Sequence, residues 1–431
     1  MRLELHKVKI QDVQFGDNTR INDGVLYVNR KELQELLQAD KRLGKVEIEL
    51  ARPGERCRIV QVADVIEPRS KIGSQGSFGF AEKYTTLGEG ETSVLQGVAI
   101  ILSDCRGKGE ATISGESHGN IIDMAGPGSE VSPFGQTLNV VLLPQPKDRV
   151  SGMDYQAALK MAGLRAATYL ARAGENLKPD EIEIYDLPPL TEVMKSIDTL
   201  PKITYIFQIL SLQFEPIPGE PTLFGKQAEG MIPTIVHPNQ VLDGAITSAA
   251  PGLNVQTYQI QNHPMIKELY RRHGTELCFA GVILTVAHNN VADFDRMADI
   301  SASLAKWVIG ADGAVLTKTG GGAPELAMAR TAQRCEQLGV KTAIAMLHMG
   351  ADFKDAKYGA STIFSMPEVD TIVSMGVPYT ELTLPPVEKV IGGPRSQSED
   401  LTAKGEMVQW MGSIKGSLCQ LGSSRLTAVR Y

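Results

Sequence analysis

The regular alternation of apolar runs with helical stretches after residue 275 most narrows what this chain can fold into. Glu276–Val286 reads as an apolar strand, and Asp293–Ile309 has a helical period closed by Gly310. Gly313–Thr317 is a second strand. Pro324–Leu338 follows as a helix with proline in its first turn and Gly339 behind it, and Lys341–Leu347 and Thr371–Met375 are further strands. Strands separated by helices return to one sheet through crossovers, which makes neighbouring strands parallel. The C-terminal half is therefore expected to be a doubly wound, mostly parallel α/β fold.

The N-terminal half reads as strand-rich α+β. Leu3–Ile10 alternates polar and apolar residues, and strand-like runs follow at Gly24–Asn29, Lys45–Leu50, Arg58–Val65, Val94–Leu102 and Leu138–Leu143. Asn29 is placed to cap a helix over Arg30–Gln38. Tyr155–Ala173 is a helix stopped by Gly174, Lys202–Leu210 is a strand, and Pro216, Pro218 and Pro221 mark a loop. This divides the chain into a strand-rich α+β region at 1–150, an α/β region at 151–240 packing with both halves, a junction at 241–266, and a doubly wound α/β region at 267–431.

Composition excludes several classes of function. The net charge is −7 and the basic residues are scattered, so a nucleic-acid-binding face is not expected. No apolar run approaches the roughly 20 residues that span a bilayer. The opening MRLELHKVKI lacks the features of a signal peptide. A cytoplasmic protein without membrane contact is expected. Cys57, Cys105, Cys278, Cys335 and Cys419 are far apart, so neither a zinc site, a disulfide framework nor a redox pair is expected. Redox chemistry would then sit on a partner.

None of the seven histidines has paired metal spacing. His273 suits a helix C-terminus. His288 and His348 follow apolar strands, where parallel sheets place ligands, and are candidates for substrate contact. Lys318–Pro324, with Gly320-Gly321-Gly322, is a tight strand-to-helix turn that matches neither dinucleotide nor Walker glycine patterns. Gly115–Gly119 lacks the strand-turn-helix context of a nucleophile elbow.

The junction carries the more specific signal. Pro238–Gly252 (PNQVLDGAITSAAPG) and Tyr258–Pro264 (YQIQNHP) are joined by Phe15–Thr19 (FGDNT), Gly24–Asn29 (GVLYVN), Ala51–Glu55 (ARPGE), Asp64–Arg69 (DVIEPR), Ile121–Gly128 (IIDMAGPG) and Ala157–Leu164 (AALKMAGL). Together, and in this order, they resemble the proprotein subunit of component B of the glycine/sarcosine/betaine reductases. The resemblance implies an oxidoreductase subunit of anaerobic amino-acid metabolism that cleaves a C–N bond beside a carboxymethyl group. It also implies two partners. One is a selenoprotein or cysteine-containing component B subunit; the other is a selenoprotein that accepts the carboxymethyl group. A hetero-oligomer follows. In glycine- and sarcosine-type relatives the proprotein cleaves itself at a junction cysteine, and the new N-terminus becomes a pyruvoyl group that forms an imine with the substrate amine.

This chain departs from that pattern, because Asp243–Ile266 contains no cysteine. Without the thiol, the thiol-initiated acyl shift cannot occur. An uncleaved chain without pyruvoyl or any other cofactor is expected. Betaine's quaternary nitrogen cannot form an imine and is already a good leaving group, so the missing cysteine points to a quaternary-ammonium substrate. Aromatic faces would hold such a cation, with Tyr258, Tyr270, Trp307 and Tyr379 as possible contributors. The candidate substrate-binding residues are Asp243, Thr247, Ser248, Tyr258, His263, His288, His348 and Tyr379; catalytic residues are not identified and no metal ligands are expected. Two alternatives stay open. Ser248 could generate a pyruvoyl group by an N→O acyl shift. The chain could also be a scaffold, or a relative acting on another C–N or C–S bond, because His348-Met349-Gly350-Ala351 and Gly376-Val377-Pro378-Tyr379 stand where the family carries other loops.

Overall fold

The computed structural model describes all residues except 75–84, 106–119, 197–198, 211–221, 249–254, 288–290, 321–322, 348–368, 370, 377, 379, 394–402, 423–428 and 431. Among the described residues the largest sheet has seven strands. Their order is Thr234–Val236, Cys278–Ala287, Lys202–Leu210, Gly313–Lys318, Lys341–Met346, Ile372–Ser374 and Val429–Arg430. The inner strands are parallel and both edges antiparallel. The chain starts at Lys202–Leu210, steps outward to Cys278–Ala287, then crosses back to build the other side. This is the expected doubly wound α/β architecture. Its switch point lies between the carboxyl ends of Lys202–Leu210 and Gly313–Lys318.

Alternation along these strands makes two apolar faces. Tyr205, Phe207, Val282 and Leu284 pack against Val241, Leu242, Ile260, Ile266 and Leu269 of the junction and its following helix. Ile206, Ile283, Leu316 and Ile344 face Ala302, Met328, Ala329 and Ala332 of the helices Val291–Ser303 and Ala323–Gln337. Gly281, at φ 91°, sits where the pairing register with Lys202–Leu210 slips. The slip puts Phe279 and Val282 in the same core although they are three residues apart. The turns expected at Gly310 and Gly339 are present, at φ 69° and 77°.

The N-terminal half holds two four-stranded sheets. One runs Glu181–Asp186, Arg2–Lys9, Gly90–Gln96, Arg69–Lys71; the other runs Leu43–Ala51, Leu138–Pro146, Val98–Ser103, Val62–Ile66. The helix Gly152–Ala171 lies so close that a side chain at Gly163 would meet Leu102 and Ile66, at 2.8 and 2.7 Å. Asn29 caps its helix as expected, accepting from the Glu32 N–H at 3.1 Å. Two expected strands are each broken in two. Arg58–Val65 divides at Gln61 (φ 52°) and Val94–Leu102 at Gly97 (φ 89°), and the pieces enter different sheets. Each break falls on a short interruption, Gln61 and Gln96-Gly97, inside a run that is apolar on either side, and one or two such residues do not by themselves end a strand pattern.

The halves interlock. Lys389–Ile391 pairs with Cys57–Ile59, and the buried Arg58 binds Asp123 at 2.6 and 2.9 Å and the carbonyls of Ala403 and Pro385 at 2.8 and 3.0 Å. No described helix is long and apolar enough to cross a membrane.

Candidate functional site at the junction

The junction enters through a short helix, Pro238–Leu242, whose N-terminus His237 caps by accepting from the Asn239 N–H at 3.2 Å. Asp243 closes that helix and is fully buried. Its carboxylate contacts the Lys71 ammonium at 2.5 Å and accepts from the Gly88 N–H at 2.7 Å and the Thr92 hydroxyl at 2.8 Å. Lys71 also donates to the Glu89 carbonyl at 2.6 Å. Burial pushes the Asp243 carboxyl upward, and Lys71 opposes that shift. These contacts fasten the junction to strands from the beginning of the chain.

The next contacts come from DVIEPR, one of the stretches that carry the family resemblance. Arg69 is buried and donates to Glu67 at 2.7 and 2.5 Å, to the Leu242 carbonyl at 2.6 Å, and to Asn262 at 3.1 Å. Gln261 accepts from the Glu67 N–H at 3.0 Å, and Asn262 donates to the Glu67 carboxylate at 3.0 Å. The Asp64 carboxylate accepts from the Thr257 N–H at 2.9 Å and hydroxyl at 2.5 Å. Thr257 in turn accepts from the Ser248 N–H at 3.0 Å, and the Ser248 hydroxyl donates to the Val255 carbonyl at 2.9 Å. Ser248 and Val255, on either side of 249–254, are thus held together on Asp64.

Two further lysines belong to this buried region. Lys160 approaches Asp64 at 3.9 Å. Burial lowers the Lys415 amine to about 7, with the Asp64 charge opposing. At the switch point the buried Lys318 lies 3.4 Å from Glu325 and 3.5 Å from Gln420, and its amine is lowered by burial. His263 links this end to the junction. Its Nε2 meets the Tyr205 hydroxyl at 3.1 Å, its Nδ1 accepts from the Ile266 N–H at 3.5 Å to cap Pro264–Arg272, and Tyr205 contacts the Thr317 hydroxyl. With Nδ1 accepting, the proton resides on Nε2 and is given to Tyr205. Enclosure lowers the imidazole to about 3.

Of the residues singled out from the sequence, Asp243, Thr247, Ser248, Tyr258 and His263 come together here. His288, His348 and Tyr379 lie outside the described residues, as does Gly115–Gly119. Asp243 and His263 are bonded within the protein interior, and Thr247 donates its N–H to the Thr222 carbonyl at 2.9 Å. Tyr258 is half-buried, edge-on to Phe134 at 5.4 Å, with its hydroxyl toward Glu67. Tyr270 is packed between Tyr185 and Phe279, whereas Trp307 is 71% exposed. Sequence reading alone missed Asp64, Glu67, Arg69, Lys71, Lys160 and Lys415. The readable signal was charge inside apolar strands, as at Asp64 within Val62–Ile66.

The cysteines show no pair among the described residues; Cys105 is half-buried and the others are buried. The side chains that gather in a metal-like group among the described residues are Glu4, His6 and Glu91, away from the junction, with Glu4 bonded to Arg2 and His6.

Fold and site together define an α/β protein whose two halves meet on a buried polar seam closed by an internal connector. A family profile described as glycine/sarcosine/betaine reductase component B subunits matches residues 1–425. The chain is 36% identical over 448 residues to the glycine reductase complex component B subunits alpha and beta of Acetoanaerobium sticklandii, covering 100% of both. It is 38% identical over 398 residues to the sarcosine reductase complex component B subunit alpha of Peptoclostridium acidaminophilum, covering 91% of this chain and 89% of the relative. It is 30% identical over 426 residues to the betaine reductase complex component B subunit alpha of the same organism, covering 97% and 93%. No solved structure matches. The chain belongs to the glycine/sarcosine/betaine reductase component B family and is a reductase-type subunit.

Two consequences can be measured. Lys71→Met leaves Asp243 buried without its cation and should cost about 3–5 kcal/mol in urea unfolding, whereas Lys71→Met with Asp243→Asn should recover most of that loss. His263 stays neutral in the fold down to about 3, while the unfolded imidazole takes a proton near 6.5. The unfolded chain therefore binds more protons between these values. This contribution is complete above pH 6.5 and is lost as pH falls. Between pH 7 and pH 5 the wild type should lose about 1–2 kcal/mol more stability than His263→Asn.

Proposed function

We propose that this chain is the substrate-binding subunit of a component B that works uncleaved, without a pyruvoyl group, on a quaternary-ammonium carboxylate, with betaine the best candidate. The observation that carries the reading is the cysteine-free junction, Asp243–Ile266. Its support is chemical. A carbonyl cofactor activates an amine by condensing with it, and a quaternary nitrogen can neither condense nor needs to. A selenolate or thiolate on a partner subunit attacks the methylene carbon; the C–N bond breaks and trimethylamine leaves with the electron pair. The carboxymethyl group then resides on the partner and passes to a second selenoprotein. The protein would act in the cytoplasm as part of a hetero-oligomer. Tyr258, half-buried and edge-on to Phe134, offers an aromatic face for the cation.

A second reading is favoured by overall identity, which is higher to the glycine and sarcosine relatives, at 36% and 38%, than to the betaine relative, at 30%. There Ser248 would supply a pyruvoyl group and the substrate would be a primary or secondary amine. One experiment separates the two. The purified chain should give a single mass near 46.6 kDa and, with its partner subunits, release trimethylamine from betaine. Two fragments split before Ser248, with turnover of glycine or sarcosine, would establish the second reading instead.

A further inference from the structure

Among the described residues along the seam, the buried ionisable side chains are Asp64, Glu67 and Asp243 against Arg69, Lys71, Lys160 and Lys415. Glu67 is matched by Arg69 and Asp243 by Lys71. Asp64 remains to serve two lysines, so the described residues of the seam carry one cation in surplus. The surplus falls on Lys415. Both Asp64 oxygens already accept bonds, from the Val65 and Thr257 amides and the Thr257 hydroxyl. Lys160 stands 3.9 Å away, while the Lys415 Nζ has no hydrogen-bond partner among the described residues.

The lysine is not loosely placed. Its N–H donates to the Ile121 carbonyl at 2.9 Å, and its own carbonyl accepts from the Ser132 hydroxyl at 2.5 Å. The next residue, Gly416, at φ 83°, lies against the Phe134 ring, where any side chain would collide with ring carbons at 2.7 Å. Phe134 in turn packs on Tyr258. A fixed backbone thus holds a buried ammonium with no hydrogen-bond partner among the described residues, one residue from the glycine that lies on the Phe134 ring, and an unpaired buried donor costs free energy.

We infer that Lys415 is the anchor of a binding site for a small carboxylate, donating to the ligand's carboxylate oxygens while the Phe134–Tyr258 pair flanks the rest of the molecule. A carboxylate would supply both the missing acceptor and the missing charge. The burial-lowered amine fits this role, because a bound anion favours its protonated form. The site rests on the preceding functional reading only in taking the ligand to be the substrate, since an anion receptor at Lys415 stands without it.

The test measures binding to the full-length chain by calorimetry with three probes: betaine, acetate, and choline, which keeps the quaternary ammonium but carries a hydroxyl in place of the carboxylate. Betaine and acetate should bind and compete with each other, and choline should bind at least tenfold more weakly than betaine. Lys415→Met should weaken both carboxylates about ten- to a hundredfold and should fold with unchanged or higher melting temperature. Equal binding of choline and betaine to the wild type overturns the inference, whether or not the variant folds. Undiminished carboxylate binding to Lys415→Met overturns it too, leaving the betaine reading in place. Acetate binding that needs Lys415, without betaine binding, supports the site and sinks the betaine reading. Failure of both carboxylates to bind overturns the inference.

Discussion

The Asp243 carboxylate, enclosed by the Lys71 ammonium, the Gly88 amide and the Thr92 hydroxyl, decides where the junction lies. A buried ion pair adds little net stability over apolar residues of similar size, because desolvating two charges consumes much of their attraction. An apolar contact, however, would tolerate sliding, whereas a carboxylate with three specific donors accepts one position. Once Asp243 is placed, Leu242 reaches Arg69, Thr257 reaches Asp64, and His263 reaches Tyr205. The short helices between them then cover one face of the parallel sheet.

This arrangement joins parts of the chain that are remote in sequence. DVIEPR and QNHP are nearly two hundred residues apart, yet Gln261 and Asn262 bond directly to Glu67. The segment Met411–Leu421 returns beneath them, with Lys415 at the seam and Gln420 at the sheet's switch point beside Lys318. Two regions that looked independent therefore share one buried interior.

The alternating pattern after residue 275 was legible because its strands are short runs apolar on both faces, set between helices that end at glycine. Lys202–Leu210 was legible for the same reason, being apolar on both sides as a central strand must be. The breaks at Gln61 and Gly97 were not, since each half-buried turn is only one or two residues long between apolar runs. For the site, the sequence pointed to the junction but not to its partners. Asp64 and Lys415 are charged residues in otherwise apolar or small-residue stretches, Arg69 and Lys71 share a charged one with Glu67, and only the fold reveals what they face. His263, a candidate substrate contact from the sequence, also caps Pro264–Arg272 inside an aromatic core, a role its spacing in the sequence does not announce.

The central claim is that the described residues of the junction form a packed element held by buried ions and not a loosely attached linker. Native-state hydrogen exchange tests it most directly, through the amides of Gly88 and Thr257, which bond to Asp243 and Asp64. The account predicts that both exchange only by global unfolding, at rates matching those of the central strand Lys202–Leu210. Rapid exchange of these amides under conditions where that strand stays protected would contradict it.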